Sequence, residues 1–268
     1  MVATPIGNLE DITLRALRIL GEVALIAAED TRRTGKLLSH YQIKTSLISY
    51  FEQNKLARIT KILDELEESD VAIVSDAGTP SLSDPGFELV QAVLAAGHQV
   101  SPIPGASALL SALIVSGLPT DAFTFLGYVP RKQTARKKKL EELINERRTL
   151  IFFEVPQRLQ NTLAVMEYVF GAERPIAIGR EMTKMYEEIL RGSIAEMRTH
   201  FMNIEPRGEL TLVIGGQRDS LSWSADAVRI EVGNRLRNGL KPSRVASEVA
   251  AESGWLRRDV YKIAQEVK

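Results

Sequence analysis

The sequence predicts an α/β protein with two layered domains and a small helical segment at its carboxyl end. Short apolar runs alternate with amphipathic helical patterns over most of the 268 residues, as they do in layered α/β structures. The alternation is interrupted at Gly117–Thr120 and ends at a polar, turn-like stretch, 220–224, after which every pattern is helical. We therefore expect domains at 1–117 and 118–219, followed by helices at 224–268.

The composition limits the possible functions. Hydrophobic residues make up 44% and charged residues 25% of the chain, which is typical of a soluble globular protein, and no apolar run approaches the ~20 residues of a membrane span. The chain has no cysteine and only three widely spaced histidines, so we expect no disulfide and no metal site. Basic and acidic residues balance at 34 each, so a polyanionic partner must be bound by a local patch. A cytoplasmic protein that binds no membrane is expected.

The first domain is organised around Val71–Gly86. An apolar run, Val71–Val74, is typical of a buried parallel strand, and the loop after it contains two glycines and two prolines. Pro85 suits the first turn of a helix capped by Asp84. Ligands of open α/β folds bind at the carboxyl edge of the sheet. An ordinary connection needs ~2–6 residues, and this loop is longer, which favours a binding loop over a purely structural one.

The other elements follow in order. Before this loop the patterns predict a short strand at Met1–Thr4, a helix capped by Asp11 and closed by Gly21, strands at Val23–Ala28 and Lys44–Tyr50, and a helix at Asn54–Ser69. After it they predict a strand at His98–Ile103 and a small-residue helix from Pro104-Gly105. In the second domain they predict strands at Phe123–Gly127, Thr149–Phe153, Ile176–Arg180, Glu187–Arg191 and Glu209–Ile214, with helices at Gln133–Glu146 and from Pro156.

Three charged stretches suggest contact with phosphates. In AEDTRRTG, residues 28–35, acids suit a helix start, but Arg32 and Arg33 oppose the helix dipole there. Six basic residues, Arg131, Lys132, Arg136, Lys137, Lys138 and Lys139, lie within nine positions, which favours a phosphate-facing role over a merely solvated helix. At the carboxyl end, Ala250, Gly254 and Val260 have a weak helix-turn-helix spacing, with Arg257 and Arg258 on the second helix.

The chain lacks a GxxxxGK[ST] loop, a GxGxxG fingerprint and a GxSxG elbow, and this argues against nucleotide hydrolysis, dinucleotide redox chemistry and serine hydrolysis. Its motifs TPIGNLEDIT, AEDTR, SDAGTP, PIPGASAL, FFEVPQRL, REMTK and RGELTLVI occur in one order and spacing. In these the chain resembles, over nearly its whole length, the ribosomal RNA small-subunit methyltransferase I family of the tetrapyrrole methylase superfamily.

The resemblance implies two αβα domains with S-adenosylmethionine in the cleft between them, and a homodimer. It implies 2′-O-methylation of a cytidine ribose in the decoding region of 16S ribosomal RNA, with the small ribosomal subunit as partner. Cofactor contacts, largely through backbone atoms, are implied for nine residues, Pro5, Asp76, Ala77, Gly78, Thr79, Ser107, Ala108, Phe153 and Glu154.

The sequence departs from the superfamily pattern at two places. Thr79 stands where tetrapyrrole-methylating members have aspartate, which argues against a tetrapyrrole substrate, and Arg33 stands where many relatives have histidine, so no histidine base is available there. Two alternatives stay open: a tetrapyrrole methylase of the same fold, and a non-catalytic RNA-binding or ribosome-assembly protein.

A ribose hydroxyl needs a base to take its proton, which contributes ~10²–10⁴-fold. Asp30 is the first choice, followed by Glu29, Glu181 and Lys184. Salt bridges among the charged residues of the AEDTRR stretch are an equally good explanation of those side chains. Phosphates of the RNA would be held by cations, for which Arg32, Arg33, Arg180 and Lys184 are the candidates beside the basic stretches.

Overall fold

The computed structural model describes residues 1–202, 204, 206–217 and 223–267. It divides into two compact units, Met1–Gly216 and Gln217–Lys268. Part of the predicted turn at 220–224 falls on 220–222, which lie outside the described residues. Each unit is described by itself below.

The first part of unit Met1–Gly216 contains a parallel three-stranded sheet in the order β2-β1-β3. The strands are β1 (Leu25–Ala28), β2 (Ser46–Ser49) and β3 (Val71–Val74), and the helices are α1 (Leu14–Glu22), α2 (Thr31–His40), α3 (Lys55–Leu66), α4 (Phe87–Ala95) and α5 (Ala108–Val115). Because crossovers are helical, both sheet faces are covered, and apolar clusters pack on either side of the strands.

Two predicted strands of this part are reduced to isolated bridges. Val2 pairs with Ile103 in parallel and Thr4 pairs with Gly78 in antiparallel fashion. The predictions of strands at Met1–Thr4 and His98–Ile103 were therefore too long. Proline explains the difference, because Pro5, Pro102 and Pro104 lack the N–H group that a continuous ladder needs.

Two predicted helix caps lie elsewhere. Asp11 ends a short 3₁₀ turn, and Thr13 caps α1 by accepting a hydrogen bond from the Ala16 N–H at 3.0 Å. Helix α4 begins after Gly86 and not after Asp84. Gly86 has φ +151°, a conformation for which glycine is suited, and this turn separates Asp84 from the helix.

The second part of the unit is a mixed five-stranded sheet in the order β4-β5-β8-β6-β7. The strands are β4 (Phe123–Tyr128), β5 (Thr149–Glu154), β6 (Pro175–Arg180), β7 (Glu188–Ser193) and β8 (Leu210–Ile214), and the helices are α6 (Gln133–Glu141), α7 (Pro156–Phe170) and α8 (Ile194–His200). The last strand, β8, lies in the middle and is antiparallel to both neighbours. Its five residues are all buried.

The unit Gln217–Lys268 consists of α9 (Ala225–Arg237), α10 (Pro242–Ser253) and α11 (Arg257–Glu266) around a small apolar core. Gly254 has φ +71° and ends α10 in a left-handed turn, and Val260 is fully buried. These positions match the predicted helix-turn-helix spacing. Arg235 forms ion pairs with Glu231 at 2.7 Å and Glu252 at 2.5 Å. Its positive charge is therefore compensated by acidic residues of the same unit.

Candidate active site

A cavity of about 280 Å³ lies at the carboxyl edge of the three-stranded sheet, and the five-stranded sheet closes it from the other side. Loops after β1 and β3, the start of α5 and the edge formed by β4, β5 and β8 all contribute to its wall. Every residue predicted to contact the cofactor lines it except Pro5, which lines a neighbouring cavity of about 320 Å³. The sheet edge therefore brings together residues that are far apart in the sequence.

Gly78 holds the organising loop against the chain's first residues. Its N–H and C=O exchange hydrogen bonds with Thr4 at 3.0 and 2.9 Å, and its φ is +80°. A Cβ added here would lie 3.1 Å from Ile6 Cγ2, which is tighter than an ordinary contact. The narrow backbone cradle beside the cavity therefore requires glycine, and it fits a ligand held through backbone atoms.

The loops after β1 and β3 are tied to each other by reciprocal hydrogen bonds. The Asp30 N–H donates to Asp76 Oδ1 at 2.9 Å, and the Asp76 N–H donates to Glu29 Oε2 at 3.3 Å. Arg33 lies 3.3 Å from the other Asp76 oxygen. These bonds hold the two loops together at the rim of the cavity.

Asp30, the first choice for a base, occupies a structural position. It caps α2 by accepting the Arg32 N–H at 2.8 Å, and the Arg32 guanidinium bonds its two oxygens at 3.1 and 2.8 Å. These hydrogen bonds hold the pKa of Asp30 well below its usual value. Asp30 is also not among the described residues that line the cavity. This geometry does not favour Asp30 as the group that accepts a proton.

Asp84 is a carboxylate of the cavity wall that the sequence indicated only as a helix cap. Burial, followed by the charges of Glu29 and Asp76, raises the pKa of Asp84 to about 6, although a hydrogen bond from Ser75 opposes this shift. Burial also raises the pKa of Glu29. The cavity therefore holds two carboxylates that bind protons more strongly than ordinary ones.

Tyr128 is a second wall residue that sequence patterns did not single out. It ends β4, is 53% exposed, and its ring packs edge-on against Phe153 at 5.6 Å. Burial of its hydroxyl, and the negative charges of Glu209, Asp84 and Glu29, raise its pKa. In the sequence, the one feature that marks Tyr128 is that it follows Gly127. In the structure Gly127 adopts a left-handed backbone with φ +66°.

Glu154 lies in the cavity wall with its side chain turned into the protein interior. Its side chain is fully buried, lies 2.6 Å from Arg158, accepts the Thr162 hydroxyl at 2.5 Å and accepts the Val155 N–H at 2.8 Å. Because its oxygens are used in this way, any contact of Glu154 with a ligand would be made by its backbone.

Glu181 and Lys184, two further candidates for a base, pair with each other at 2.8 Å, and Lys184 also reaches Glu209 at 3.0 Å. Lys184 lines the neighbouring cavity together with Pro5 and packs over Gly7, where a Cβ would lie 2.3 Å from Lys184 Cγ. Neither Glu181 nor Lys184 lines the cavity of about 280 Å³.

The predicted RNA-binding cations differ in their availability. Arg32 is 87% exposed and Arg33 65% exposed at their side chains, and Arg131 and Lys132 are also exposed. Arg136, which was expected to face phosphates, is buried and donates to the carbonyls of Pro130 and Arg131. It is therefore not part of an exposed phosphate-binding surface. Arg180 pairs with Glu188 at 3.0 Å.

In the carboxyl-terminal unit Arg257 donates to two serines and Arg258 to Asp259.

Within the described residues no group of histidine and acidic side chains could hold a metal ion. Helices in the same part of the chain are all too short or too polar to span a membrane.

Comparison with solved structures defines the fold, and a match to a family of known proteins defines the class. The fold is similar to uroporphyrin-III-C-methyltransferase from Thermus thermophilus, with 21% identity over 80% of this chain and 92% of that one and a TM-score of 0.55. It is also similar to a cobalt precorrin-4 methyltransferase, with 15% identity, the same shares covered and a TM-score of 0.61. The family described as Tetrapyrrole (Corrin/Porphyrin) Methylases matches residues 1–198. The architecture is thus that of a methyltransferase.

Curated relatives define the family more narrowly. Proteins named ribosomal RNA small subunit methyltransferase I are 44% identical in a Synechocystis strain, over 100% of this chain and 97% of that protein, and 49% identical in Thermotoga maritima, over 81% and 97%. The Bacillus subtilis protein of that name is 41% identical over 97% of this chain and 91% of its own length. The chain belongs to this family, within the tetrapyrrole methylases.

Proposed function

We propose that the protein transfers a methyl group from S-adenosylmethionine to the 2′-hydroxyl of a cytidine in the decoding region of 16S ribosomal RNA. The observation that carries the proposal is the similarity to relatives named for small-subunit ribosomal RNA methylation, which extends over nearly the whole chain. A fold neighbour was solved in complex with S-adenyl homocysteine, and the glycine-lined cradle beside Gly78 suits a ligand of that kind.

The cofactor supplies an activated methyl group on a sulfonium, whose leaving group departs without needing a proton. The residues of the chain therefore have to position donor and acceptor and to receive one proton. Backbone groups of Asp76–Thr79 and of Ser107 and Ala108 would hold the donor in the cavity of about 280 Å³. Five carboxylates line this cavity, and among them Glu29 and Asp76 provide negative charge that suits a cationic ligand.

Cations at the rim would hold the RNA backbone. Arg32 and Arg33 begin α2 directly beside the cavity, and both side chains are mostly exposed. Guanidinium groups bind phosphate oxygens bidentately. The exposed pair Arg131 and Lys132, just beyond β4, would extend this surface on the side of the five-stranded sheet.

We further propose that the enzyme works in the cytoplasm as a homodimer on the small ribosomal subunit. Leu110 and Ile114 are 48% and 73% exposed on the outer face of α5, and Met185 and Tyr186 are exposed after β6. Exposed apolar side chains of this size are typical of surfaces that bind another protein.

Methyl transfer to small ribosomal subunits tests the function. The purified protein is incubated with labelled S-adenosylmethionine and either unmethylated small subunits, naked 16S ribosomal RNA or uroporphyrinogen III. Label in RNA that nuclease digestion and mass spectrometry identify as 2′-O-methylcytidine is the expected result. Label in the tetrapyrrole, or no binding of S-adenosylmethionine by calorimetry, would instead support the tetrapyrrole methylase or the non-catalytic protein, respectively.

A further inference from the structure

We infer that the Asp84 carboxylate accepts the proton from the hydroxyl group that is methylated, with Glu29 beside it as the residue that keeps it basic. This inference rests on the proposed function, because it concerns the acceptor of that reaction. It starts from the cavity wall, since a base must face the space in which donor and acceptor meet.

The carboxylates of the wall differ in what they bind. Asp76 lies 3.3 Å from Arg33, Glu154 lies 2.6 Å from Arg158, and Glu209 lies 3.0 Å from Lys184. Each of these three carboxylates already has an oxygen in contact with a cation, which limits its access to a substrate hydroxyl. Glu29 has no such ion pair among the described residues, but it accepts the Asp76 N–H. Asp84 also has no ion pair among the described residues, and the Ser75 side chain only partly offsets the rise of its pKa caused by burial.

Asp84 is also placed between the two sheets. Its neighbour Ser83 lies against β4, where a Cβ on Gly127 would be 3.2 Å from the Ser83 hydroxyl. Ser81 and Ser83 both have φ of +71°, so the loop that presents Asp84 adopts a left-handed backbone at two non-glycine residues. Such conformations cost free energy and persist where the surroundings impose them. The loop therefore holds Asp84 in a defined position in the cavity wall.

The electrostatic surroundings support the role. Charged and titratable groups that line the cavity with Asp84 are Glu29, Arg33, Asp76, Tyr128, Glu154 and Glu209. Burial and the charge of Glu29 raise the pKa of Asp84 to about 6. Above that pH the group is ionised and ready to accept a proton, and it binds the proton more strongly than an ordinary aspartate.

The reaction balances with these groups alone. The hydroxyl O–H bond breaks and its proton goes to Asp84, while the oxygen forms the new bond to the methyl carbon. The S–CH₃ bond breaks with its electron pair remaining on sulfur, which becomes a neutral thioether. Asp84 then releases the proton to solvent through the open side of the cavity.

Asp84→Asn tests the inference against Asp64→Asn, a matched change at an exposed position on α3. We expect single-turnover methylation of small subunits to fall ~10²-fold or more in Asp84→Asn. Affinity for S-adenosylmethionine, measured by calorimetry, should stay within about threefold of wild type. Asp84→Glu should recover part of the rate, because it restores the carboxylate.

The pH profile separates a base from a merely structural residue. The wild-type single-turnover rate should decline as pH falls through about 6, and Asp84→Asn should lose this decline. A folded Asp84→Asn variant with the wild-type rate, or a rate loss fully explained by weaker cofactor binding, would overturn the inference. If wild type and Asp64→Asn both bind the cofactor but methylate no RNA, the proposed function has failed and not the choice of base alone.

Discussion

Replacing Gly78 by alanine should weaken cofactor binding far more than the same change at Gly97. Both glycines adopt a left-handed backbone, with φ of +80° and +87°. A Cβ on Gly97 meets nothing within 4 Å, whereas a Cβ on Gly78 lies 3.1 Å from Ile6 Cγ2 and 3.6 Å from the Ala106 carbonyl oxygen. Gly97→Ala is therefore a control that shares the backbone strain and lacks the contact.

The expected magnitudes follow from these two contributions. A left-handed conformation costs an alanine roughly 1–2 kcal/mol, which should be the whole loss in free energy of unfolding for Gly97→Ala. An added contact in a packed place costs about 1–3 kcal/mol more, and two hydrogen bonds to Thr4 prevent the Gly78 backbone from moving away. If Ile6 or the loop shifts instead, the wall of the cavity moves, and we expect at least a tenfold loss of affinity, about 1.4 kcal/mol.

Calorimetric titration of S-adenosylmethionine, together with thermal unfolding of each variant, measures both effects. Gly97→Ala should lose stability and keep its affinity. A folded Gly78→Ala variant that binds the cofactor as tightly as wild type would refute the assignment of the organising loop to the cofactor site.

Four further outcomes are expected. Glu154→Gln should lower the free energy of unfolding by roughly 3–5 kcal/mol, because it leaves Arg158 without its buried partner, and thermal unfolding measures this loss. Asp30→Asn should keep its single-turnover rate within about threefold, because an asparagine still caps α2; a ~10²-fold loss would restore Asp30 as the base. Asp84→Asn should raise the melting temperature at about pH 8, since a carboxyl whose pKa is raised on folding destabilises the ionised protein, and the gain should shrink as pH falls from 6 toward 4. Deleting 224–268 should weaken RNA binding and reduce its salt dependence by roughly 0.7–0.9 in log–log slope for each lost phosphate contact, with cofactor binding unchanged; an unchanged slope would show that the helices do not touch RNA.

Local patterns predicted much of the fold. The apolar runs at Val71–Val74 and Thr149–Phe153 lie in buried strands, with the second extending to Glu154. Such strands can be predicted from a short stretch of sequence, because a strand buried on both faces of a sheet is a continuous run of four to six mostly apolar residues. The short helix α8 was not predicted, although Ser193 and Glu196 form a capping box at its start.

The ionisation of the site could not be read from the sequence. The sequence predicts Asp84 as a helix cap because Pro85 follows it, and a proline is common at a helix start. Its pKa is raised first by burial and then by the charge of Glu29, which follows a different strand and comes near Asp84 only in the folded protein. Asp30 was the expected base of the AEDTRR stretch, but hydrogen bonds from the side chain and backbone of Arg32 hold its pKa well below the usual value. For Asp84 the deciding contacts join residues distant in sequence, whereas for Asp30 the deciding contact comes from Arg32, two residues along the chain, in the geometry of the helix start.

The central position of β8 has a consequence for the order in which the chain folds. Strands β5 and β6 are both buried, and in the described sheet β8 lies between them and pairs with each. Of these three strands, β8 is the last to be synthesised. Until Leu210–Ile214 leave the ribosome, both strands have unpaired apolar edges that invite association with other chains. The residues just before and within β8, Gly208–Thr211, also line the cavity. A nascent chain therefore acquires its binding site in the same late step that completes its second sheet.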